Sequence, residues 1–241
     1  MTITNALLTM GASHGRNGRS MVPHGVVVHY VGNPGSSAMG NRNYFENGSA
    51  GAGVSAHFII GLNGEILRCV PETECAAHAG RSYGPTWDTT AKTNNSRFIG
   101  IECCHPGPDG KFNDMTANSL VWLAADLCRR FKLDPQKDIY RHYDVCGKMC
   151  PIYYVKTPDA WSALKNRIAA SYNQMVDPQK TPAAPPVPAK APDTPSEWAA
   201  DAWAWVKKYN LNDGTRPQDT TTREEVANIL FKFYLLISKT K

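Results

Sequence analysis

Two histidines and one cysteine are of the residue types that bind zinc, and each lies in a sequence context that suits a zinc ligand. His29 lies near the end of a run of β-branched residues, 25–31. His142 lies in a second short β-like run, and Cys150 follows it by eight residues. Two neutral imidazoles and one thiolate would leave zinc with a net charge of about +1 and an open fourth position, where a bound water has a pKa of about 7. This is a catalytic pattern. A histidine taken alone is more often a core residue, and spacing does not distinguish Cys150 from Cys146.

The elements that carry these residues alternate between strands and helices. Residues 25–31 form a continuous apolar run, typical of a strand covered on both faces, and residues 98–103 form another. Residues 57–70 predict a hairpin around an Asn-Gly turn. Apolar residues recur at helical spacing over 114–131, which predicts an amphipathic helix. This order predicts an α/β fold, a sandwich around one central sheet.

The composition indicates a folded protein that does not cross a membrane. Hydrophobic residues make up 42% of the 241-residue chain and charged residues 20%, which excludes a wholly disordered chain. No apolar run reaches the ~18 residues that a membrane span needs. The net charge of +5 is small and scattered, so we expect no nucleic-acid partner. The N-terminus lacks the features of a signal peptide, which predicts synthesis in the cytoplasm.

The seven cysteines are an odd number in a chain without an evident export signal. They are therefore expected to be core residues or metal ligands rather than disulfides. The run Cys103-Cys104-His105 has the composition of a metal cluster, but consecutive strand residues point to opposite faces. We predict core packing plus one surface thiol for this run.

A proline-rich stretch divides the chain. Seven prolines fall within 177–195, a composition that favours an extended, semi-rigid linker. This predicts a domain over 1–176 and a small all-α module over 196–241, in which two capping boxes begin two amphipathic helices. Three apolar residues lie off the main stripes of these helices: Trp203, Phe231 and Leu235. This second face predicts packing against copies of the chain, as a homo-oligomer, or against another partner.

Five blocks of the sequence stand in a specific order. They are Val26-Val27-Val28-His29-Tyr30, Ser55-Ala56-His57-Phe58-Ile59-Ile60, His78-Ala79-Gly80, Ile99-Gly100-Ile101-Glu102, and Arg141-His142-Tyr143-Asp144-Val145 through Gly147-Lys148-Met149-Cys150-Pro151. Over roughly residues 21–154 the chain resembles the zinc-dependent N-acetylmuramoyl-L-alanine amidases related to short phage lysozymes and to animal peptidoglycan-recognition proteins. The resemblance implies a central mixed β-sheet flanked by helices. It also implies that His29, His142 and Cys150, and not Cys146, bind Zn²⁺.

The same resemblance implies hydrolysis of the amide that joins the lactyl group of N-acetylmuramic acid to L-alanine of the stem peptide. Such a reaction needs a carboxylate that takes a proton from water and passes it to the leaving amine. Glu102 is the candidate, because its apolar strand raises the pKa of a carboxylate. The alternative for Glu102 is a structural pair with a nearby lysine or arginine. Lys148 matches a family position that stabilises the oxyanion.

Two further histidines match positions that line the cleft in relatives. His57 and His78 would each contact substrate or a zinc ligand, and the alternative for each is a hydrogen-bonded core residue. Some relatives carry a catalytic tyrosine at the position that Ala56 occupies here. We therefore expect Glu102 to serve in place of that tyrosine.

The 196–241 module has its own resemblance. Trp198-Ala199, Ala202, Trp205, 211–214 and 222–225 resemble a single S-layer-homology motif. Such motifs usually act in threes on cell-wall polymers. One copy predicts weak binding to a secondary wall polymer, or assembly of copies from separate chains.

Together these features predict a lytic amidase of the phage or prophage endolysin type. It would be made in the cytoplasm and act on the peptidoglycan of a Gram-positive wall after release. A cytosolic amidase that recycles muropeptides is one alternative, although it gives the helical module no evident task. A non-catalytic peptidoglycan-binding protein of the same fold is the other, and relatives of that kind typically lack the cysteine ligand.

Overall fold

The computed structural model describes residues 1–80, 95–177 and 200–209. Within these ranges the strands are β1 (Ile3–Asn5), β2 (Arg16–Ser20), β3 (Gly25–Tyr30), β4 (Phe58–Ile60), β5 (Ile66–Arg68), β6 (Glu74–Ala76), β7 (Phe98–Cys103) and β8 (Ile139–Arg141). The α-helices are α1 (Ala38–Glu46), α2 (Asp114–Phe131), α3 (His142–Cys146), α4 (Ile152–Lys156), α5 (Pro158–Val176) and α6 (Ala200–Lys208). Short 3₁₀ turns occur at Ala12–His14 and Ser49–Gly51.

Six of the strands form one central sheet in the order β1-β5-β4-β7-β3-β8. β4 and β5 are antiparallel and form the predicted hairpin, and the other neighbouring pairs are parallel. β2 and β6 form a separate two-stranded antiparallel sheet. The mixed central sheet confirms the predicted fold class.

Helices cover both faces of the central sheet. On β4, Phe58 and Ile60 pack into the core that contains the apolar residues of α2 and α5. Ile59 points the other way and packs with Ala38 and Phe45 of α1. This alternation is the period of two that a strand imposes on its side chains. Both faces of the sheet are therefore buried, which explains why β3 and β7 are almost entirely apolar.

α2 follows directly from its sequence. The Asn113 side chain caps it by accepting a hydrogen bond from the Thr116 N–H, and Lys132 ends it in a left-handed conformation (φ 57°). Leu120, Leu123 and Leu127 are fully buried. The predicted helix over 114–131 is confirmed.

The prediction of a β-like run through His142 is wrong beyond Arg141. β8 ends at Arg141, and His142 is the first residue of α3. The physical reason is a capping interaction, in which the Asp144 carboxylate accepts a hydrogen bond from the Arg141 N–H over 2.8 Å. The carboxylate thereby satisfies a backbone donor at the start of the helix.

The chain divides into two compact units, Met1–Pro182 and Ala183–Lys241. In the second unit, the ring centroids of Trp205 and Tyr209 lie 5.0 Å apart, at the helical spacing predicted for one stripe. Other predictions for the linker and the module lie outside the described residues. They concern Trp198, the capping boxes, 211–214, 222–225, Phe231 and Leu235. The domain boundaries at 176/177 and 195/196 stay predictions. None of the helices in the described ranges has the length and hydrophobicity that crossing a membrane requires.

Candidate metal centre and active site

Three buried side chains converge at one edge of the central sheet. They are His29, His142 and Cys150, and one ligand-type atom of each lies within 4.8 Å of the others. Cys150 Sγ lies 3.8 Å from His29 Nδ1, and the two imidazole centroids are 4.4 Å apart. Within the described ranges, this is the one group of three metal-ligating side chains so close together.

Parallel pairing of β3 with β8 brings the two histidines together. Val28 of β3 pairs with Arg141 of β8. The next residue of each chain segment, His29 and His142, therefore lies at the same edge of the sheet, since parallel strands end on the same side. Two positions that are 113 residues apart in the sequence become neighbours through this register.

A short loop returns Cys150 to the same edge. The Tyr143 N–H donates a hydrogen bond to the Cys150 carbonyl over 2.9 Å and closes the loop that begins at His142. Gly147 ends α3 in a left-handed conformation (φ 80°), which glycine adopts without strain. The turn at Gly147 therefore allows the chain to double back beside its own starting point.

Arg141 braces this loop from its other side. Its guanidinium donates to the Asp144 carboxylate over 2.6 Å and to the Tyr154 carbonyl over 3.0 Å. It also lies 5.5 Å and 5.7 Å from the ring centroids of Tyr143 and Trp161. The local sequence gives no sign of this role, because arginine is not a residue type that usually caps a helix.

The structure separates the two cysteines that spacing could not distinguish. Cys146 is buried, and its thiol donates to the His142 carbonyl over 3.6 Å. Only Cys150 belongs to the cluster of three side chains.

Burial keeps both histidines of the cluster neutral. It lowers the pKa of His142 to about 3 and that of His29 well below its ordinary value, and neighbouring imidazoles add to both effects. Burial also raises the pKa of the Cys150 thiol, whereas a hydrogen bond from the Tyr30 backbone N–H opposes that shift. Neutral imidazole is the form that binds metals, and a divalent cation would favour the thiolate.

The donor set fits a zinc ion. Both ring nitrogens of His142 are buried without a hydrogen-bond partner among the described residues. Buried polar atoms are nearly always paired, so an imidazole left in this condition inside a cluster of donors indicates a lone pair available to a cation. Two imidazoles and one thiolate are a donor set that zinc accepts.

Glu102 lies beside this cluster on β7. It is in register with His29, and its Oε1 lies 4.0 Å from His29 Nδ1. Its Oε2 is buried without a hydrogen-bond partner among the described residues. Burial raises the pKa of Glu102 to about 8, and the positive charge of Lys148 partly opposes this shift. The structural alternative, an ion pair with lysine or arginine, is not found for Glu102 within the described ranges.

Lys148 is exposed and lies two residues before Cys150 in the sequence. Its charge adds to burial in lowering the pKa of His29 and His142, which places its ammonium group within electrostatic range of both.

His57 is a hydrogen-bonded core residue in the structure. It is fully buried, its Nδ1 accepts from the Gly100 N–H over 2.9 Å, and its Nε2 lies 2.8 Å from the Glu74 carbonyl. Both ring nitrogens are engaged with the backbone, so the contacts are those of the core alternative rather than of the predicted substrate-binding role. The bonded carbonyl and amide lie 17 and 43 residues away, which the local sequence does not reveal.

His78 contacts a candidate metal ligand. Its Nδ1 lies 3.0 Å from His29 Nε2, and its Nε2 lies 2.9 Å from the Phe98 carbonyl. The prediction for His78 is contact with substrate or with a zinc ligand, and His29 is the candidate metal ligand that it contacts. Burial lowers the pKa of His78 to about 3, with the neighbouring His57 adding to the effect, so the ring is neutral.

Two residues that were not among the predicted site residues hold His78. Asn95 Oδ1 accepts from the backbone N–H groups of His78 and Ala79, over 3.0 Å and 2.8 Å. Gly100 leaves room for the ring, because a Cβ at this position would lie 2.6 Å from His78 Cγ. A glycine inside an apolar strand signals such a close approach. Nothing in the local sequence points to Asn95.

The run Cys103-Cys104-His105 packs in the core and is outside the cluster, as predicted. Cys103 and Cys104 belong to the cores on opposite faces of the sheet. The prediction of one surface thiol is wrong, because both are fully buried. Asn41 of α1 lies over Cys104, with Nδ2 at 3.5 Å from Sγ. The seven cysteines are all free and buried.

Comparison with known proteins places this geometry in a family. The family model for N-acetylmuramoyl-L-alanine amidase matches residues 19–152. N-acetylmuramoyl-L-alanine amidase BlyA of Bacillus subtilis (strain 168) is 35% identical over 152 residues, which cover 60% of this chain and 40% of BlyA. CwlL of Bacillus licheniformis, an amidase of the same name, is 34% identical over 149 residues, with the same coverage. The chain thus matches about 40% of the length of these curated relatives.

Solved structures agree with the sequence relatives. The catalytic domain of XlyA has a TM-score of 0.57 and 27% identity, and the match covers 70% of this chain and 99% of that domain. A mutant endolysin from Bacillus subtilis has a TM-score of 0.56 and 26% identity, with coverage of 70% and 99%. Since the family model covers more than half of the residues and includes the whole cluster at the sheet edge, the chain belongs to the N-acetylmuramoyl-L-alanine amidase family.

Proposed function

We propose that the chain is a zinc-dependent N-acetylmuramoyl-L-alanine amidase. It hydrolyses the amide between the lactyl group of N-acetylmuramic acid and L-alanine in bacterial peptidoglycan. The observation that carries the proposal is the buried cluster of His29, His142 and Cys150 with a largely buried carboxylate beside it. Membership of the amidase family supports the same reaction.

The cluster residues would hold the metal through two neutral imidazoles and one thiolate. Zinc bound there supplies a water of lowered pKa and a Lewis acid for the scissile carbonyl. His29 and His142 are held neutral by burial, so neither needs to lose a proton on binding. Cys150 must lose one, and the Tyr30 N–H that donates to its sulfur favours the thiolate.

Glu102 is proposed as the general base and acid. Its carboxylate lies 4.0 Å from His29 Nδ1, close enough to the cluster to take a proton from a water held there. The same carboxyl group would then pass this proton to the leaving amine of L-alanine. Burial that raises its pKa to about 8 suits both steps, because a carboxylate of raised pKa is a stronger base and its acid form persists at neutral pH until the amine leaves.

Lys148 is proposed to stabilise the oxyanion. It is exposed, and its charge acts on His29, His142 and Glu102. An ammonium at this point would favour the negative charge that develops on the carbonyl oxygen. We assign His57 to the core, on the basis of its backbone partners.

We further propose that the protein acts as an endolysin on the cell wall. A mutant endolysin from Bacillus subtilis is similar in structure to this chain, and the match covers 70% of the chain. The 196–241 module would bind a secondary wall polymer or join copies of the chain. Light scattering of the full chain over a range of concentrations tests the second role, and a monomer throughout excludes it.

The reaction is tested on purified peptidoglycan with mass spectrometry of the products. We expect glycan strands with a free lactyl carboxylate and stem peptides that begin with a free L-alanine amine. A chelator should abolish their release and added zinc should restore it. Binding to walls without these products would favour the non-catalytic alternative. Products from soluble muropeptides but not from intact walls would favour the recycling alternative.

A further inference from the structure

A chain of hydrogen bonds connects the backbone of the sheet to the cluster. The Phe98 carbonyl of β7 lies 2.9 Å from His78 Nε2, and His78 Nδ1 lies 3.0 Å from His29 Nε2. His29 Nδ1 in turn faces Cys150 Sγ at 3.8 Å. One imidazole therefore lies between a fixed backbone acceptor and the ring that faces the cluster.

The order of donors along this chain has only one solution. A carbonyl oxygen accepts and does not donate, so His78 Nε2 must carry the hydrogen that Phe98 accepts. In a neutral ring His78 Nδ1 then has a lone pair, and His29 Nε2 must be the donor to it. A neutral His29 with hydrogen on Nε2 has its remaining lone pair on Nδ1. That lone pair is directed toward Cys150.

His78 is itself held firmly in place. Asn95 Oδ1 accepts from its backbone N–H over 3.0 Å, and the absence of a side chain at Gly100 leaves space for its ring. A Cβ at Gly100 would approach His78 Cγ, Nδ1 and Cδ2 to between 2.6 and 2.8 Å. β7 thus supplies both the acceptor for the ring and the space that the ring occupies.

We infer that His78 is a positioning residue that sets the tautomer of His29. It holds hydrogen on His29 Nε2 and leaves the Nδ1 lone pair free for a metal ion. This inference rests on the metal site proposed above. His57 has no such role, because both of its ring nitrogens are engaged with backbone groups. Partners of this kind, one step from a metal, typically change affinity 10–100-fold when removed.

Nitrogen NMR of the imidazoles tests the tautomer in the isotope-labelled, metal-free chain. We expect His29 and His78 each to carry hydrogen on Nε2. His78→Phe keeps a ring of similar size but removes both nitrogens, so His29 should shift toward a mixture of tautomers. His29 with its hydrogen on Nδ1 in the unsubstituted chain would overturn the inference without involving zinc or activity.

Zinc affinity, measured by competition with a chelator, tests the consequence. His78→Phe should weaken zinc binding by about 10–100-fold. His78→Asn should lose less, because Asn Oδ1 can accept at the position of His Nδ1. His105→Phe removes another buried imidazole, one bonded to the Gly107 carbonyl, and should bind zinc like the unsubstituted chain.

The outcomes separate the two proposals. If the unsubstituted chain binds zinc and His78→Phe binds it equally well, the tautomer inference is wrong and the metal site stands. If the unsubstituted chain fails to bind zinc, the proposed function fails first. A circular dichroism melt of each variant shows whether it folds. If His78→Phe fails to fold, the zinc affinity of His78→Asn is compared with that of the unsubstituted chain instead.

Discussion

Glu72 and Glu102 are both largely buried carboxylates, and they differ in the charges around them. Glu72 Oε1 lies 2.8 Å from Arg130 Nη1, and its Oε2 lies 2.6 Å from Arg68 Nη2. Glu102 has no such arginine partner among the described residues, and its nearest ion-pair contact is His29 at 4.0 Å. The protein therefore buries two glutamate side chains in different ways, one with arginine partners and one without.

This difference separates a structural region from a reactive one. At Glu72 the two arginines compensate the charge and tie the segment after β5 to α2. At Glu102 the charge is left poorly compensated, so burial raises the pKa of the carboxyl to about 8. An uncompensated buried group is costly for stability, and such groups are concentrated at functional sites. The predictions below test this contrast.

We expect the largest effect, on zinc binding and on activity, from a substitution in the cluster of His29, His142 and Cys150. Cys150→Ser should abolish zinc binding and with it the zinc-dependent release of L-alanine ends, because a serine hydroxyl does not ionise at neutral pH. Metal analysis of the purified variant checks the result. Cys146→Ser is the matched control and should retain zinc, since Cys146 lies outside the cluster. Loss of zinc in the control alone would reverse the assignment of the two cysteines.

Glu102→Gln should reduce turnover by about a hundredfold or more, the usual scale for a general base, while zinc stays bound. The amide keeps the shape of the carboxylate but cannot take the proton. Turnover is measured on zinc-loaded protein. Glu72→Gln makes the same chemical change at the paired carboxylate and should leave turnover of the folded enzyme unchanged. Near-normal turnover of Glu102→Gln would show that the proton is taken elsewhere.

For stability we expect the opposite order, with the larger loss in Glu72→Gln and the smaller in Glu102→Gln. Glu72→Gln should lower the free energy of unfolding by about 2 kcal/mol, because two arginines lose a charged acceptor and are themselves about one-third exposed. Glu102→Gln should not destabilise the metal-free chain, since it removes an uncompensated buried acid. Urea unfolding of both variants provides the comparison. A larger loss for Glu102→Gln would contradict the contrast.

The smallest effect concerns a third glutamate, on the small sheet. A hydrogen bond from Arg16 lowers the pKa of Glu74 below its ordinary value of 4.5. Its contribution to stability is therefore present above the unfolded pKa and is lost as the pH falls through the lower folded value. We expect Glu74→Gln to remove about 1 kcal/mol or less at neutral pH and to flatten this part of the acid dependence. Urea unfolding at several pH values measures it, and an unchanged acid slope would count against the pair.

Apolar runs and helical periodicity in the local sequence were enough to predict the apolar strands and helices. The strands around 25–31 and 98–103, the hairpin and α2 follow from runs and stripes that local sequence reveals. β2 was missed because Arg16–Ser20 reads Arg-Asn-Gly-Arg-Ser, which has no apolar alternation. Its pairing with β6 depends on residues more than 50 positions away.

The sequence predicted some residues of the candidate site and left others open. Spacing identified His29 and His142 as candidates, but the choice of Cys150 over Cys146 came from family resemblance and now has a geometric basis in the loop closed by Tyr143. The backbone partners of His57 and His78 could not be foreseen, because they belong to distant strands. The role of Glu102 stays a prediction from its apolar strand, and its register with His29 places it beside the cluster.

The three cluster residues come from one strand and one loop of nine residues. The loop is closed by the Tyr143–Cys150 hydrogen bond and lies at the end of β8, a terminal strand of the central sheet. Because local opening needs less free energy than global unfolding, we expect this segment to open while the remaining strands stay paired. An ion held by the three residues would then exchange with solution at the rate at which this one segment opens.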